Sequence, residues 1–220
     1  MRSRHVDTFN HDPWAADYDA DVRNEADPIR AGYEDLLTWI AGKVPDVPGL
    51  HIVDLGSGTG NLTSRLPLRA RITAVDTSSE MINLAKSKQG EHHVDYVLED
   101  VLAWLTENEE PVDVFVSTYA LHHLTDDEKA VALKAMAKRL NTGGLMAIGD
   151  LMFRSVADRK TILDGFQEAG KPELVSDISD EFFWNLETDL KILDHEEFRT
   201  ETRQFSDLSW GFVAMKSPET

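Results

Sequence analysis

Residues 51–60 read His-Ile-Val-Asp-Leu-Gly-Ser-Gly-Thr-Gly, and the fold is decided there. A short apolar run feeds directly into glycines at 56, 58 and 60. Apolar and β-branched residues bounded by a glycine cluster read as a buried strand ending in a tight turn. Glycine lets such a turn adopt backbone angles closed to other residues and lets a ligand lie close to the main chain. Toward the N-terminus, PDVPGL (45–50) punctuates the chain and sets a helical region apart from this strand.

Toward the C-terminus strands and helices alternate. Residues 61–66 are expected to open a helix, 71–76 a second strand, 78–88 a helix behind serine caps and 94–98 a third strand. A helical turn is expected over 101–105. VDVFVST (112–118) is the most apolar, β-branched run and should be the central strand. Thr125 with Glu128 forms a capping box, and the helix it opens should run to about 140, with Lys138 and Arg139 near its C-terminal end. Asn-Thr-Gly-Gly (141–144) should stop it before a fifth strand at 145–152. Residues 155–193 read as irregular helix, and 197–205 with 208–216 as a closing hairpin around a Ser-Asp turn. The fold class is therefore α/β: a Rossmann-like three-layer fold on a seven-stranded, mostly parallel sheet with a C-terminal antiparallel hairpin.

Composition narrows the chemistry. The chain has 220 residues, 41% hydrophobic and 28% charged, the balance of one globular α/β unit. A net charge of −18 repels phosphate backbones and disfavours nucleic acid as substrate. With no cysteine, the chain has no disulfide, thiolate metal site or thiol nucleophile. No run reaches membrane-spanning length and the N-terminus has no apolar signal core, so a cytoplasmic location is expected, away from membranes.

Glycine spacing separates two cofactor classes. A dinucleotide fingerprint is G-x-G-x-x-G, whose helix N-terminus receives a pyrophosphate. Gly56, Gly58 and Gly60 give G-x-G-x-G instead, a loop that asks for no pyrophosphate. Asp76, ending the second strand, is placed to accept ribose hydroxyls. Met81 can cover an adenine face, and Asp100 with Val101 beside it can meet the adenine amino edge, although an aspartate at a strand end is also a helix cap.

In order, VDLGSGTGNLT, AVDTSSEMINLAK, YVLEDV, VDVFVSTYALHHLTDDEK and LNTGGLMAIGD resemble the successive motifs of class I methyltransferases. The similarity is greatest to the small bacterial YrrT-like methyltransferases, through Trp-Ala-x-x-Tyr-Asp at 14–19 and the HHLTDDEK stretch. The resemblance is good from about Trp14 to the fifth strand and weak in the C-terminal third. It implies S-adenosyl-L-methionine as methyl donor. The expected cofactor residues are Asp54, near the cationic methionine part, then Gly56, Ser57, Gly58, Gly60, Asp76, Thr77, Met81, Asp100, Val101 and Ser117. Trp14 and Tyr18, four apart on one helix face, are expected to lie over the cofactor as part of a lid. One domain, 1–220, divides into a helical lid (1–45), a cofactor-binding core (51–152), a helical substrate-side insert (153–195) and the closing hairpin (196–217).

Methyl transfer from a sulfonium is an in-line displacement that needs alignment and exclusion of water, and a base only if the acceptor must lose a proton. His122, His123 and Tyr119, after the central strand, are the catalytic candidates, with His122 placed nearer the acceptor. The histidines with Asp150 suit a metal, but no metal site is expected. Phe182, Phe183 and Trp184 are candidates for an acceptor wall, and Arg154 and Arg159 for an acceptor carboxylate. The expected partner is a small-molecule acceptor, with a homodimer left open. The rival readings are a nicotinamide oxidoreductase, a protein or nucleic-acid methyltransferase, and a non-catalytic adenosylmethionine-binding protein. The STYALHH run lacks the Asn-Pro-Pro-Tyr type of segment that DNA amino-methylating enzymes present to a flipped base.

Overall fold

A computed structural model describes residues 1–8, 12, 15–194 and 198–217, with the side chains of 16 and 194 outside that description. Two helices come first, α1 (Ala15–Asp21) and α2 (Tyr33–Lys43). Then follow β1 (His51–Leu55), β2 (Arg71–Asp76), α3 (Ser79–Lys88), β3 (His93–Leu98), α4 (Val101–Glu107), β4 (Val112–Thr118), α5 (Asp126–Arg139) and β5 (Leu140–Phe153). The C-terminal third holds α6 (Val156–Glu168), α7 (Pro172–Asp180), β6 (Trp184–Asn185), α8 (Leu186–Asp189), α9 (Lys191–Asp194), β7 (Phe198–Gln204) and β8 (Ser209–Lys216).

The main sheet has the order β3-β2-β1-β4-β5-β8-β7, with the two-residue β6 pairing beside β5. β1 to β5 are parallel, while β8 runs antiparallel to both β5 and β7. The strand order reverses between β1 and β4, and ligands in open parallel sheets bind beyond the C-terminal strand ends at that point.

Alternation along the strands builds a core on each face. Val53, Leu55 and Phe115 pack with Leu102, Leu133 and Met136 of α4 and α5. Ile52, Ile72 and Val114 pack with Leu36, Leu37 and Ile40 of α2 on the other face. Helices on both faces of one sheet make the three layers. Gly149 and Gly211 face each other across β5 and β8, and α2 sits tightly on that pair. An added Cβ would lie 2.2 Å from Leu36 at Gly149 and 2.5 Å from Trp39 at Gly211.

Two expectations are corrected. Residues 61–66 give only a 3₁₀ turn, Thr63–Arg65, because Leu66 is already extended ahead of Pro67. Asn-Thr-Gly-Gly does not precede the fifth strand: β5 begins at Leu140 and passes through it, with a register shift against Val112 and Val114 of β4. The Thr125–Glu128 capping box is present. Among the described residues no helix is long and apolar enough to cross a membrane.

Candidate cofactor and acceptor site

The cleft at the switch point is enclosed by the glycine loop, the ends of β2, β3 and β4, and the N-terminal segment. It encloses about 720 Å³ of empty space, part of it open to solvent. Gly56 and Gly58 form its floor, at φ +69° and +52°. A Cβ on Gly56 would lie 2.2 Å from that of Ala120, so this glycine keeps the loop packed against the segment after β4. A Cβ on Gly58 would meet nothing within 4 Å, so its missing side chain leaves open space.

Asp76 lies in the cleft wall beside Thr77. Its Oδ2 accepts from Gly58 N (2.7 Å) and its Oδ1 from Ser78 N (2.8 Å), so the carboxylate also fixes the loop. Burial pushes its pKa above the usual carboxylate range. Met81 and Val101 also line the cleft. Asp100 does two things: it caps α4 by accepting from Ala103 N (2.8 Å), and it faces the cleft. Ser3 N donates to its Oδ1 (3.0 Å) and Ser3 Oγ to its Oδ2, while Ser3 and Val6 join the wall. Nothing in the sequence signals that contact across 97 positions.

Several expected residues lie behind the wall. Asp54 is fully buried, its Oδ2 accepts from Thr63 Oγ1 (2.5 Å), and its Oδ1 has no hydrogen-bond partner. Burial without a cationic partner pushes its pKa up to about 7. Ser57 Oγ is a second buried, unpartnered atom of the same loop. Two orphaned polar atoms beside the glycines suit a ligand carrying an ammonium and a carboxylate, since buried polar groups are normally paired. Gly60 packs on Ala85 of α3, 3.2 Å from an added Cβ, and is not part of the wall. Ser117 is also outside it: β4's alternation turns its side chain into the sheet, where Oγ donates to Leu55 O (2.7 Å).

Tyr18 lines the cleft, and Trp14 lies outside the described residues. Sequence reasoning passed over the next residue, Asp19. Its carboxylate accepts from Thr59 Oγ1 (2.6 Å) and Asn61 Nδ2 (3.0 Å) and pairs with Lys88, tying α1 to the glycine loop and α3. These partners hold its pKa below normal against a partial burial that opposes them. The only available signal was its place at the end of Trp-Ala-x-x-Tyr-Asp.

After β4, Tyr119 borders the cleft at φ +50°, which few bulky residues adopt. Its hydroxyl is bonded to Ser209 Oγ (2.7 Å) of β8, which argues for a structural rather than a chemical use. His122 and His123 lie on a 3₁₀ turn that buries the first ring and leaves the second half-buried, with the ring centroids 4.0 Å apart. His123 lines the cleft, whereas His122 is buried with Nδ1 donating to Asp150 Oδ1 (2.5 Å). Burial lowers the His122 pKa, but Asp150 and then Glu181 reverse this and raise it overall. Of the two rings, then, it is His123 that forms cleft wall, contrary to expectation.

Asp150 cannot act as a third metal ligand. Its oxygens already accept from His122 N (3.0 Å), His122 Nδ1, Leu151 N (2.9 Å) and Trp184 Nε1 (3.1 Å). Trp184 is consequently core, and Phe183 stacks on Phe153 instead of lining the cleft. Arg154 and Arg159 are exposed. Among the described residues, the lining includes Asp76 and Asp100 but no lysine or arginine. Such a wall suits a cationic sulfonium and offers a pyrophosphate no countercharge.

Comparison with known proteins fits this geometry. A family model described as a methyltransferase domain matches residues 52–144. An uncharacterized methyltransferase of Bacillus thuringiensis (strain Al Hakam) is 31% identical over 209 residues, covering 93% of this chain and 95% of the relative. The chain belongs to the class I methyltransferases. Solved methyltransferases share the fold at low identity. The DhpI–SAH complex superposes with a TM-score of 0.67 at 17% identity, covering 99% of this chain and 100% of that one. Magnesium protoporphyrin IX methyltransferase from Synechocystis PCC 6803 with bound SAH gives 0.66 at 18%, covering 94% and 96%. This methyltransferase uses S-adenosylmethionine, and the loop, orphaned polar atoms and acidic wall described above fit that cofactor.

Proposed function

We propose that this methyltransferase transfers its methyl group in line to a small-molecule acceptor bound on the Tyr18, Tyr119 and His123 side of the cleft. The observation that carries this reading is the roof. Among the described residues, Ser3, Val6 and Tyr18 bring the N-terminal segment to the cleft, with Ser3 anchored on Asp100 and Asp19 on the glycine loop. A small acceptor passes such a roof more readily than a folded macromolecule, and the charge of −18 further opposes nucleic acid. Asp76 would accept the ribose hydroxyls, Met81 and Val101 would flank the adenine, and Asp100 with Ser3 would meet its amino edge. His123 would orient the acceptor, and alignment with water exclusion would supply most of the rate.

The test is transfer of tritiated methyl from S-adenosylmethionine into thiols, amines, phenols and carboxylates, run beside protein and RNA fractions. The reading expects label in a small-molecule class. Label confined to protein or RNA would oppose it.

Three further results are expected. If Asp54 meets the methionine ammonium, binding will draw its pKa down from about 7 and release a proton. Calorimetry with S-adenosylhomocysteine near pH 6.5, in buffers of different ionisation enthalpy, should show that release in the wild type and not in Asp54→Asn. A raised carboxyl pKa also means that its contribution to apo stability is complete below pH 4 and is lost as pH rises through about 7. Asp19→Ala, which frees α1 from the loop, should weaken S-adenosylhomocysteine by about 1 kcal/mol, roughly fivefold, because the lost bonds are charged but partly solvated. An unchanged dissociation constant would show that α1 adds nothing to cofactor retention.

A further inference from the structure

We propose that His122, His123 and Glu181 form a binding site for a divalent cation of zinc type on the acceptor side of the cleft. One ligand atom from each residue lies within 4.8 Å of the others. His122 Nε2 and Glu181 Oε2 are 3.4 Å apart, long for a hydrogen bond. Two ligands about 2.1 Å from a tetrahedral ion stand about 3.4 Å apart, so this pair already has the spacing of a coordination edge. The His122 and His123 rings lie 4.0 Å apart between centroids, inclined at 52°, which puts both imidazoles at one locus.

The support behind His122 is the second observation. Its Nδ1 lies 2.5 Å from Asp150 Oδ1, and in the neutral tautomer that donates there Nε2 carries the lone pair a metal needs. Asp150 is itself immobilised by Leu151 N and Trp184 Nε1. A carboxylate behind a histidine is the usual outer support of a ligating imidazole, and it raises ligand basicity. Lys129 does not compete, since its ammonium is held by the Phe182 carbonyl and Asp126.

Two imidazoles and one carboxylate suit zinc and leave a coordination position open. His123 also forms cleft wall, so the ion stands at the border between the site and the cleft. Its use there rests on the small-molecule reading. An acceptor thiol or hydroxyl would bind the ion as its anion and lose its proton to solvent. Its heteroatom would then form the new bond to the methyl carbon while the carbon–sulfonium bond breaks, releasing neutral S-adenosylhomocysteine.

The test is calorimetric titration of chelator-treated full-length protein with zinc chloride alone, with magnesium chloride as comparison. One zinc per chain is expected, with weak or no magnesium binding. Glu181→Gln and His123→Ala should each weaken zinc about tenfold or more, and Asp150→Asn by about 10–100-fold. Glu181 is partly exposed, so Glu181→Gln should fold and should bind S-adenosylhomocysteine as the wild type does. No stoichiometric zinc, or unchanged zinc affinity in Glu181→Gln, would overturn the site. Stoichiometric zinc lost in Glu181→Gln supports it even if methyl label appears only in macromolecules, a result that would count against the small-molecule reading alone.

Discussion

His122→Ala should cost about 3–5 kcal/mol of unfolding free energy, more than any other single substitution in the site. Asp150 has no solvent exposure, and His122 is its only ionisable hydrogen-bonding partner among the described residues. Removing the imidazole strands a buried carboxylate and opens a void beside Phe183, whose ring meets His122 edge-on. Urea denaturation should show a lowered midpoint with an unchanged slope. His123→Ala removes a half-buried ring without an Asp150 bond and should leave the midpoint nearly unmoved. Equal midpoints for the two variants would mean that the His122–Asp150 pair contributes little to the fold.

Gly58→Val should abolish measurable S-adenosylhomocysteine binding, a loss of at least about 100-fold, while the protein stays folded. The backbone at +52° disfavours a β-branched residue by about 1–2 kcal/mol, and the added methyls enter the cleft. Gly56→Val is the contrasting case. Its Cβ would collide with Ala120 at 2.2 Å, so that variant should lose stability as well as binding. Calorimetry on each variant, with circular dichroism as the folding check, separates the two. Near-wild-type affinity in folded Gly58→Val would place the cofactor elsewhere.

Strand positions were legible because alternation and glycine punctuation are local signals. The expected strand over 112–118 coincides with Val112–Thr118, and that over 51–55 with His51–Leu55. The helix expected after the glycine loop was not, because its residues serve distant partners. Asn61 bonds Asp19 and Tyr33, Thr63 bonds Asp54, and Pro67 closes the segment. The cleft wall was partly legible: Gly56, Gly58, Asp76, Thr77, Met81, Asp100 and Val101 all line it, each at or just after a strand end. Ser117's hydroxyl turns into the sheet instead, because its strand face, not its strand-end position, decides where it goes. Which histidine lines the cleft was not legible, because a 3₁₀ turn rotates neighbouring residues by about a third of a turn, and sequence does not say which ring points inward. Ser3 and Glu181 carried no local signal, since each meets its partner across chain distant in sequence, and Asp19 had only its place at the end of Trp-Ala-x-x-Tyr-Asp.

The most direct test of the cofactor assignment is a crystal structure of the protein with S-adenosylhomocysteine. The account predicts the ribose hydroxyls on the Asp76 carboxylate, the adenine between Met81 and Val101 with its amino group toward Asp100 and Ser3, and the sulfur facing His123. A homocysteine moiety bound away from Asp54 and Ser57, or a ribose out of hydrogen-bonding reach of Asp76, would contradict it.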